Sequence, residues 1–176
     1  MKNIAIVIGH TQRSKGACST NNIPCEWDYN NKVANFLKDI ADIYTYDAYS
    51  LGYTTMVKKN AEKLNKLNYK LVIELHYNAA SPDANGCETL YYFKNKQGKY
   101  LAEQSSMLIN SVFGVKNRGA KALINEKDRG FAAVFYPNAT TILLEPFFGS
   151  NKSDSYKFRN KEKEYSEVIR KIIKLV

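Results

Sequence analysis

The chain has 176 residues, of which 44% are hydrophobic and 24% are charged, so it can bury a substantial core but has little room for a second folded unit. We therefore predict one domain over residues 1–176 and no membrane span, because the apolar runs are far shorter than the roughly 20 residues of a transmembrane helix. The formal net charge of +9 points to an anionic partner.

The N-terminal part of the chain alternates predicted strands with predicted helices. Residues 3–8 form a β-branched run typical of a buried strand, and a polar loop follows over residues 10–25. Apolar residues then recur at helical spacing over residues 33–41, which predicts a helix of about four turns that begins near Glu26. A second strand is predicted at residues 43–46.

The same alternation continues along the rest of the chain. Residues 57–67 have helical spacing, residues 71–75 give the strongest strand signal, and residues 88–93 form another strand after a turn-rich loop. The later predicted elements are a helix at 99–113, extended pieces at 122–124 and 133–136, a strand at 140–144 and a C-terminal amphipathic helix through Val168, Ile169, Ile172 and Ile173.

This order of elements predicts an α/β fold with a mostly parallel central sheet flanked by helices. In such sheets the ligand crevice lies at the carboxyl ends of the strands. His10, His76 and Glu145 each fall at such an end or just past it. We therefore expect these three side chains to meet in one site.

The residue types at this expected site are typical of metal-assisted hydrolysis. A lone histidine after a strand is usually a surface or hydrogen-bonded residue, and Glu26 alone fits a carboxylate at a helix start. However, the chain has only two histidines, and both occupy equivalent positions. We interpret His10, Glu26, His76 and Glu145 as an open catalytic zinc site, in which two imidazoles and one carboxylate bind the metal and the other carboxylate acts on the metal-bound water.

The cysteines show no metal-binding spacing. Cys18, Cys25 and Cys87 make an odd count without a CxxC pair, so we expect reduced thiols and neither a disulfide framework nor a structural zinc knuckle. Cys18 and Cys25 lie between His10 and Glu26 in the chain. Either sulfur is therefore an alternative ligand for a soft metal.

Six sequence blocks occur in the order seen in one enzyme family. They are Ile8-Gly9-His10, Pro24-Cys25-Glu26, residues 75–79, residues 86–92, residues 117–121 and residues 143–151. Through these blocks the chain resembles the zinc-dependent N-acetylmuramoyl-L-alanine amidases of the amidase 3 type, including the catalytic domains of phage endolysins. The resemblance implies cleavage of the amide between N-acetylmuramic acid and the L-alanine of the peptidoglycan stem peptide.

The resemblance also implies roles for the site residues. Zinc held by His10, Glu26 and His76 would activate water, and Glu145 would serve as general base. Glu74 is a rival base, because it lies two residues before His76 and points to the same side of the strand. It lies one step deeper than His76, so we favour it as a hydrogen-bond partner of that histidine.

Four further polar residues have two readings each. Glu88 follows a glycine-containing loop and either contacts substrate or is structural. Asn78 either orients His76 or, as we favour, satisfies turn backbone. Arg118 and Arg129 either bind substrate carboxylates or are solvated charges.

The predicted partners follow from the charge and the resemblance. The charge alone does not choose between nucleic acid, anionic lipid and acidic wall polymer. However, the lysines are dispersed, with no zinc finger, RNP pattern or dense basic arm, so we predict no nucleic-acid partner. We expect peptidoglycan as substrate and anionic cell-wall polymers bound through the basic surface. The N-terminal apolar run is too short for a signal peptide, so we expect synthesis in the cytoplasm and action on the wall after holin-type release, as for a phage lysin, with a host enzyme as the alternative.

Two other function classes remain open on the sequence alone. A zinc peptidase or carboxypeptidase uses the same ligands, since neither fold nor metal fixes the scissile bond. A free L-alanine amine on digested muropeptides would identify the amidase. A non-catalytic wall-binding or nucleic-acid-binding protein would use only the basic charge, and metal content separates it from either enzyme.

Overall fold

The central sheet of the protein has six strands, and the computed structural model describes residues 2–47 and 52–176. The predicted domain boundaries, 1–176, include Met1 and residues 48–51, which lie outside the described residues. The strands are β1 Ile4–Ile8, β2 Asp42–Thr45, β3 Leu71–Leu75, β4 Cys87–Tyr92, β5 Asn117–Leu123 and β6 Thr140–Glu145.

The strand order is β2-β1-β3-β6-β4-β5. Strand β1 is parallel to β2 and β3, and β3 is parallel to β6, whereas β4 is antiparallel to β6 and parallel to β5. The carboxyl ends of β1, β3 and β6 and the amino end of β4 therefore lie along the same side of the sheet, called here its carboxyl-end edge. The predicted α/β fold with a mostly parallel sheet is confirmed.

Helices cover both faces of this sheet. In the described ranges they are α1 Glu26–Asn35, α2 Tyr53–Leu64, α3 Lys96–Phe113, α4 Phe131–Phe135, α5 Lys152–Phe158 and α6 Glu162–Ile173. None of these helices is long and apolar enough to cross a membrane.

The two faces of the sheet bury separate apolar clusters, because successive strand side chains point to opposite sides. Ile6 and Ile73 face the larger cluster, which α1, α3, α5 and α6 cover. Val7 and Val72 face the smaller cluster, which α2 and α4 cover. The short helix α4 leaves part of this second face open beside the carboxyl-end edge, where the cavity described below lies.

The helices differ from the sequence prediction in three places. Helix α1 has 10 residues, and the N–H groups of Phe36 and Leu37 then bond carbonyls three residues back at 3.1 and 2.9 Å, so tighter turns continue its apolar spacing. The predicted extended piece at 133–136 is wrong, because these residues belong to α4 and its C-cap. Helix α5 was not predicted, although Asn151 caps it by accepting a hydrogen bond from the Asp154 N–H.

Candidate metal centre and catalytic cavity

The three predicted ligands meet at the carboxyl-end edge of the sheet. His10 follows β1 with φ 64°, His76 follows β3, and Glu26 is the first residue of α1. Two glycines leave space for the side chains of these three residues. A Cβ on Gly9 would collide with the His76 ring, and one on Gly16, at φ +73°, would collide with both Glu26 and His10.

Glu26 lies between the two imidazoles. Its Oε1 is 2.8 Å from His76 Nδ1, and its Oε2 is 3.1 Å from His10 Nε2. Backbone N–H groups of Tyr77 and Ala17 each donate to one of these oxygens at 3.1 Å. One ligand atom from each of the three side chains lies within 4.8 Å of the other two.

In the metal-free protein Glu26 and His76 form a buried ion pair. Burial alone would raise the pKa of Glu26, but its contacts with His10 and His76 and their charges lower that pKa to about 2. Burial opposes the charge on His76, yet hydrogen bonds to Glu26 and Glu74 raise its pKa well above the usual value. In the metal-free protein the imidazolium of His76 therefore provides the positive charge that Glu26 requires.

Glu74 fixes the far side of the His76 ring. Its Oε1 lies 2.8 Å from His76 Nε2, and its side chain is buried. A carboxylate at this nitrogen holds the ring so that Nδ1 faces Glu26 and His10. This contact matches the role that we favoured for Glu74 over that of general base.

The residues present fit a zinc ion. His10 Nε2 is buried and makes no well-directed hydrogen bond with the described residues, which leaves its lone pair available to a ligand. Two imidazole nitrogens and one carboxylate are the donor set of catalytic zinc sites with an open position. The Glu74 contact adds the carboxylate-histidine pairing that commonly orients such ligands.

Glu145 is the last residue of β6 and reaches the same region from the neighbouring strand. Its Oε2 is buried without a hydrogen-bond partner among the residues described. Burial raises the pKa of Glu145 to about 8, although the charge of His76 acts in the opposite direction. The carboxyl group is therefore held in an environment that disfavours its charge.

Glu88 lies directly opposite Glu145 in the β4–β6 pairing. It accepts hydrogen bonds from Asn78 Nδ2 at 2.8 Å and from Arg118 Nε at 2.7 Å. The guanidinium of Arg118 also stacks over the Phe148 ring at 5.0 Å. Arg118 is thus paired within the protein, and the Asn78 side chain orients Glu88 and not His76.

A cavity of about 410 Å³ opens beside the cluster. It contains three of the four predicted site residues, while Glu26 lies behind them. Sequence reasoning missed the apolar wall and Lys121, since these become neighbours only through the pairing of β4, β5 and β6. The lining residues are His10, Tyr53, His76, Asn78, Glu88, Leu90, Lys121, Leu123, Arg129, Gly130, Leu143 and Glu145.

The expectation of three reduced thiols is wrong. Cys18 and Cys25 form a disulfide, and only Cys87 is free and buried. The polar loop before α1 folds back on itself, with the Glu26 N–H donating to the Ala17 carbonyl at 2.8 Å, and this brings the two sulfurs together. Neither sulfur belongs to the candidate ligand cluster, so the soft-metal alternative has no support.

Comparison with known proteins gives a family match and a shared fold. The family model described as Amidase_3, N-acetylmuramoyl-L-alanine amidase, matches residues 4–174. A search of curated proteins finds no match.

Several solved structures are similar over nearly the whole chain. The catalytic domain of the CD27L endolysin targeting Clostridia difficile has a TM-score of 0.78 and 25% identity, covering 98% of this chain and 97% of that one. An N-acetylmuramoyl-L-alanine amidase from Clostridium difficile 630 has a TM-score of 0.78 and 22% identity, with 98% and 95% coverage. AmiC2 of Nostoc punctiforme has a TM-score of 0.73 and 22% identity, with 98% and 96% coverage.

Proposed function

Because this chain belongs to the Amidase_3 family of N-acetylmuramoyl-L-alanine amidases, we propose that it hydrolyses peptidoglycan with a zinc ion held by His10, Glu26 and His76. The scissile bond is the amide between N-acetylmuramic acid and the L-alanine of the stem peptide. One observation carries the proposal. The three ligand atoms lie within 4.8 Å of one another at the edge of a cavity that also contains Glu145.

Each ligand has a separate part in holding the ion. Glu26 is ionised, with a pKa of about 2, and supplies the negative charge. His10 offers Nε2, which lies 3.1 Å from Glu26 Oε2 without a well-directed hydrogen bond, and His76 offers Nδ1 once it has released its proton. A zinc ion in such a site supplies a Lewis acid that polarises the scissile carbonyl and acidifies water.

Glu145 is the proposed general base. Its pKa of about 8, set mainly by burial, lies near neutral pH, where a carboxyl group both accepts and returns a proton. Its buried Oε2 has no partner among the described residues and is free to take a proton from the attacking water. The same oxygen would then return that proton to the leaving amine of L-alanine.

Glu74 is a positioning residue in this proposal. It contacts His76 Nε2 at 2.8 Å and is not among the residues that line the cavity. Removing its charge would leave Glu145 and the other ligands in place. Its substitution should therefore weaken metal binding more than it slows catalysis at full metal occupancy.

We also propose that the enzyme acts on the cell wall outside the cytoplasm. The Cys18–Cys25 disulfide supports this, because disulfides persist in oxidising surroundings. The formal net charge of +9 supports retention on anionic wall polymers.

Metal content and product analysis test the proposal together. Wild-type protein should contain one zinc per chain, whereas His10→Ala and His76→Ala should lose it, with Lys171→Gln as a control far from the site. Digested peptidoglycan analysed by mass spectrometry should show stem peptides with a new L-alanine amine. Full zinc occupancy in either alanine variant would overturn the ligand set, and other new ends would indicate a peptidase.

A further inference from the structure

Two cations of the cavity wall have no acidic partner. Lys121 and Arg129 both line the cavity, and across the described part of the chain neither forms an ion pair or a side-chain hydrogen bond. Arg118, by contrast, is bound to Glu88 at 2.7 Å and is not available to a ligand. The cavity therefore presents two free positive charges to whatever enters it.

The sheet register places Lys121 on the same face as the proposed base. Lys121 pairs with Leu90 on β4, and Leu90 pairs with Leu143 on β6, two residues before Glu145. Neighbouring strands are about 4.8 Å apart, so the Lys121 backbone lies about 10 Å from β6. Paired residues share a face, as do residues two apart, so Lys121 and Glu145 point to the same side.

Arg129 lines the cavity, and the glycine that follows it packs against the apolar wall. Gly130 has φ +87°, and a Cβ there would come within 3.2 Å of Leu143 Cδ1, so the loop rests directly on the apolar wall. Burial dominates the pKa of Glu145, and the Arg129 charge is among the influences that oppose it. Arg129 therefore lies close enough to the cavity for its charge to reach Glu145.

The chemistry of the substrate offers a matching group. In the stem peptide, L-alanine is followed by D-glutamate joined through its side-chain carboxyl, which leaves its α-carboxylate free, and a tripeptide has a second carboxylate on its third residue. An extended chain advances at most about 3.3–3.6 Å per residue. Three residues therefore span about the 10 Å that separates β6 from the Lys121 backbone, and two span about 7 Å, which leaves a gap that the long Lys121 side chain can close.

We propose that Lys121 and Arg129 form a subsite for a stem-peptide carboxylate on the second or third residue, so that the enzyme prefers free acids to amidated stems. This rests on the proposed function, because the scissile amide must lie beside Glu145. Leu90 lies on the strand between Lys121 and β6, and it lines the cavity together with Leu123 and Leu143. These leucines would contact the apolar parts of the peptide while its carboxylate is bound.

Four synthetic muramyl tripeptides, N-acetylmuramoyl-L-Ala-γ-D-Glu-L-Lys with the second, the third, both or neither carboxyl amidated, test the subsite. Zinc-loaded wild type should prefer the free acid at one position by at least about tenfold in kcat/KM, mainly through KM, since hydrogen bonds to charged groups are strong. Lys121→Gln and Arg129→Gln should each reduce that preference, because each should lower kcat/KM for the free acid more than for the amidated peptide. Lys171→Gln and Arg159→Gln are matched controls, because each replaces the same residue type at a position outside the cavity. Both variants should retain the preference.

Equal kcat/KM for all four peptides in the wild type would overturn the subsite while leaving the amidase intact. A preference that survives in both cavity variants would also overturn it. Calorimetric binding of the peptides to Glu145→Gln separates this proposal from the proposed function. Even if no peptide were cleaved, equal affinity for acid and amide would refute the subsite, and tenfold tighter binding of the acid would support it.

Discussion

Two carboxyl groups at the site differ in protonation because their neighbours differ. Glu26 lies between His10 and His76, and although burial opposes its charge, these contacts lower its pKa to about 2. Glu145 has an unpartnered buried oxygen, and burial raises its pKa to about 8. In the metal-free protein at neutral pH, Glu26 is therefore ionised and Glu145 is mostly protonated.

The raised pKa of Glu145 predicts a pH-dependent cost to stability. Between pH 4.5 and about 8 the unfolded chain loses this proton while the folded protein keeps it, so Glu145 lowers stability as pH rises through that window. Glutamine does not titrate. Metal-free Glu145→Gln should therefore unfold at least about 4 °C above wild type at pH 7.5, with the difference vanishing near pH 4.

Thermal unfolding followed by circular dichroism in a chelator would measure this difference. Lys171→Gln, an exposed substitution on the opposite side of the sheet, should parallel wild type at every pH. A constant offset between Glu145→Gln and wild type from pH 4 to pH 8 would show that the carboxyl titrates normally.

The site residues differ in how far the sequence could predict them. His10, His76 and Glu145 were predictable because each ends a parallel strand, and parallel strands bring their carboxyl ends to one edge. Lys121 was not predictable as a site residue, because its place beside the cavity depends on β4 running antiparallel to β6. The alternation of apolar and polar residues predicts which side chains share a face of the sheet. It does not predict whether a strand runs parallel or antiparallel to its neighbour.

At the scale of secondary-structure elements, the loop before α1 helps to form the candidate metal site. It returns to the start of the helix through Ala17, whose carbonyl accepts from the Glu26 N–H at 2.8 Å and whose own N–H donates to Glu26 Oε2 at 3.1 Å. The Cys18–Cys25 disulfide closes the segment between these contacts. The loop therefore positions the Glu26 carboxylate from both sides.

Removing the disulfide should lower stability without removing the metal. A crosslink over so short a segment contributes about 2 kcal/mol by constraining the unfolded chain, so Cys18→Ser/Cys25→Ser should unfold about 4–8 °C below wild type. Zinc content at saturation should stay at one per chain, because neither sulfur is among the ligands. Calorimetry with and without a reductant makes the comparison.

The reductant provides the control for this prediction. It should lower the unfolding temperature of wild type to that of the double variant and leave the double variant unchanged. Loss of zinc from the double variant would instead mean that the ion depends on the disulfide loop or on one of its sulfurs.

Short elements were the hardest to predict from the sequence. Residues 133–136 are apolar and aromatic, and so short a run fits a buried strand as well as the end of a short helix. Helix α5 has a readable start, with Asn151 as its cap and Asp154 three residues later, but its seven residues show little apolar periodicity. Strand β3, by contrast, is predicted with the correct bounds. Four of its five residues are apolar, and the polar His76 follows directly after the strand.

At the scale of the whole molecule, the basic charge and the catalytic site have separable roles. We predict that binding to intact cell walls weakens as salt rises, because exposed charges are screened over a Debye length of about 8 Å at physiological ionic strength. Hydrolysis of a fully amidated soluble muropeptide, which lacks the carboxylates proposed for the subsite, should change much less. Pull-down and turnover assays over the same salt series make the comparison, and equal salt sensitivity would contradict this division.

The proposed mechanism depends on which carboxylate, that of Glu145 or that of Glu74, moves the proton. The measurement is turnover of a soluble muropeptide by Glu145→Gln and Glu74→Gln at matched zinc occupancy. We predict that Glu145→Gln folds and binds zinc but loses at least about 100-fold in rate, since a general base contributes about 10²–10⁴-fold, while Glu74→Gln is affected less. A nearly inactive Glu74→Gln beside an active Glu145→Gln would contradict the account and make Glu145 a structural carboxylate.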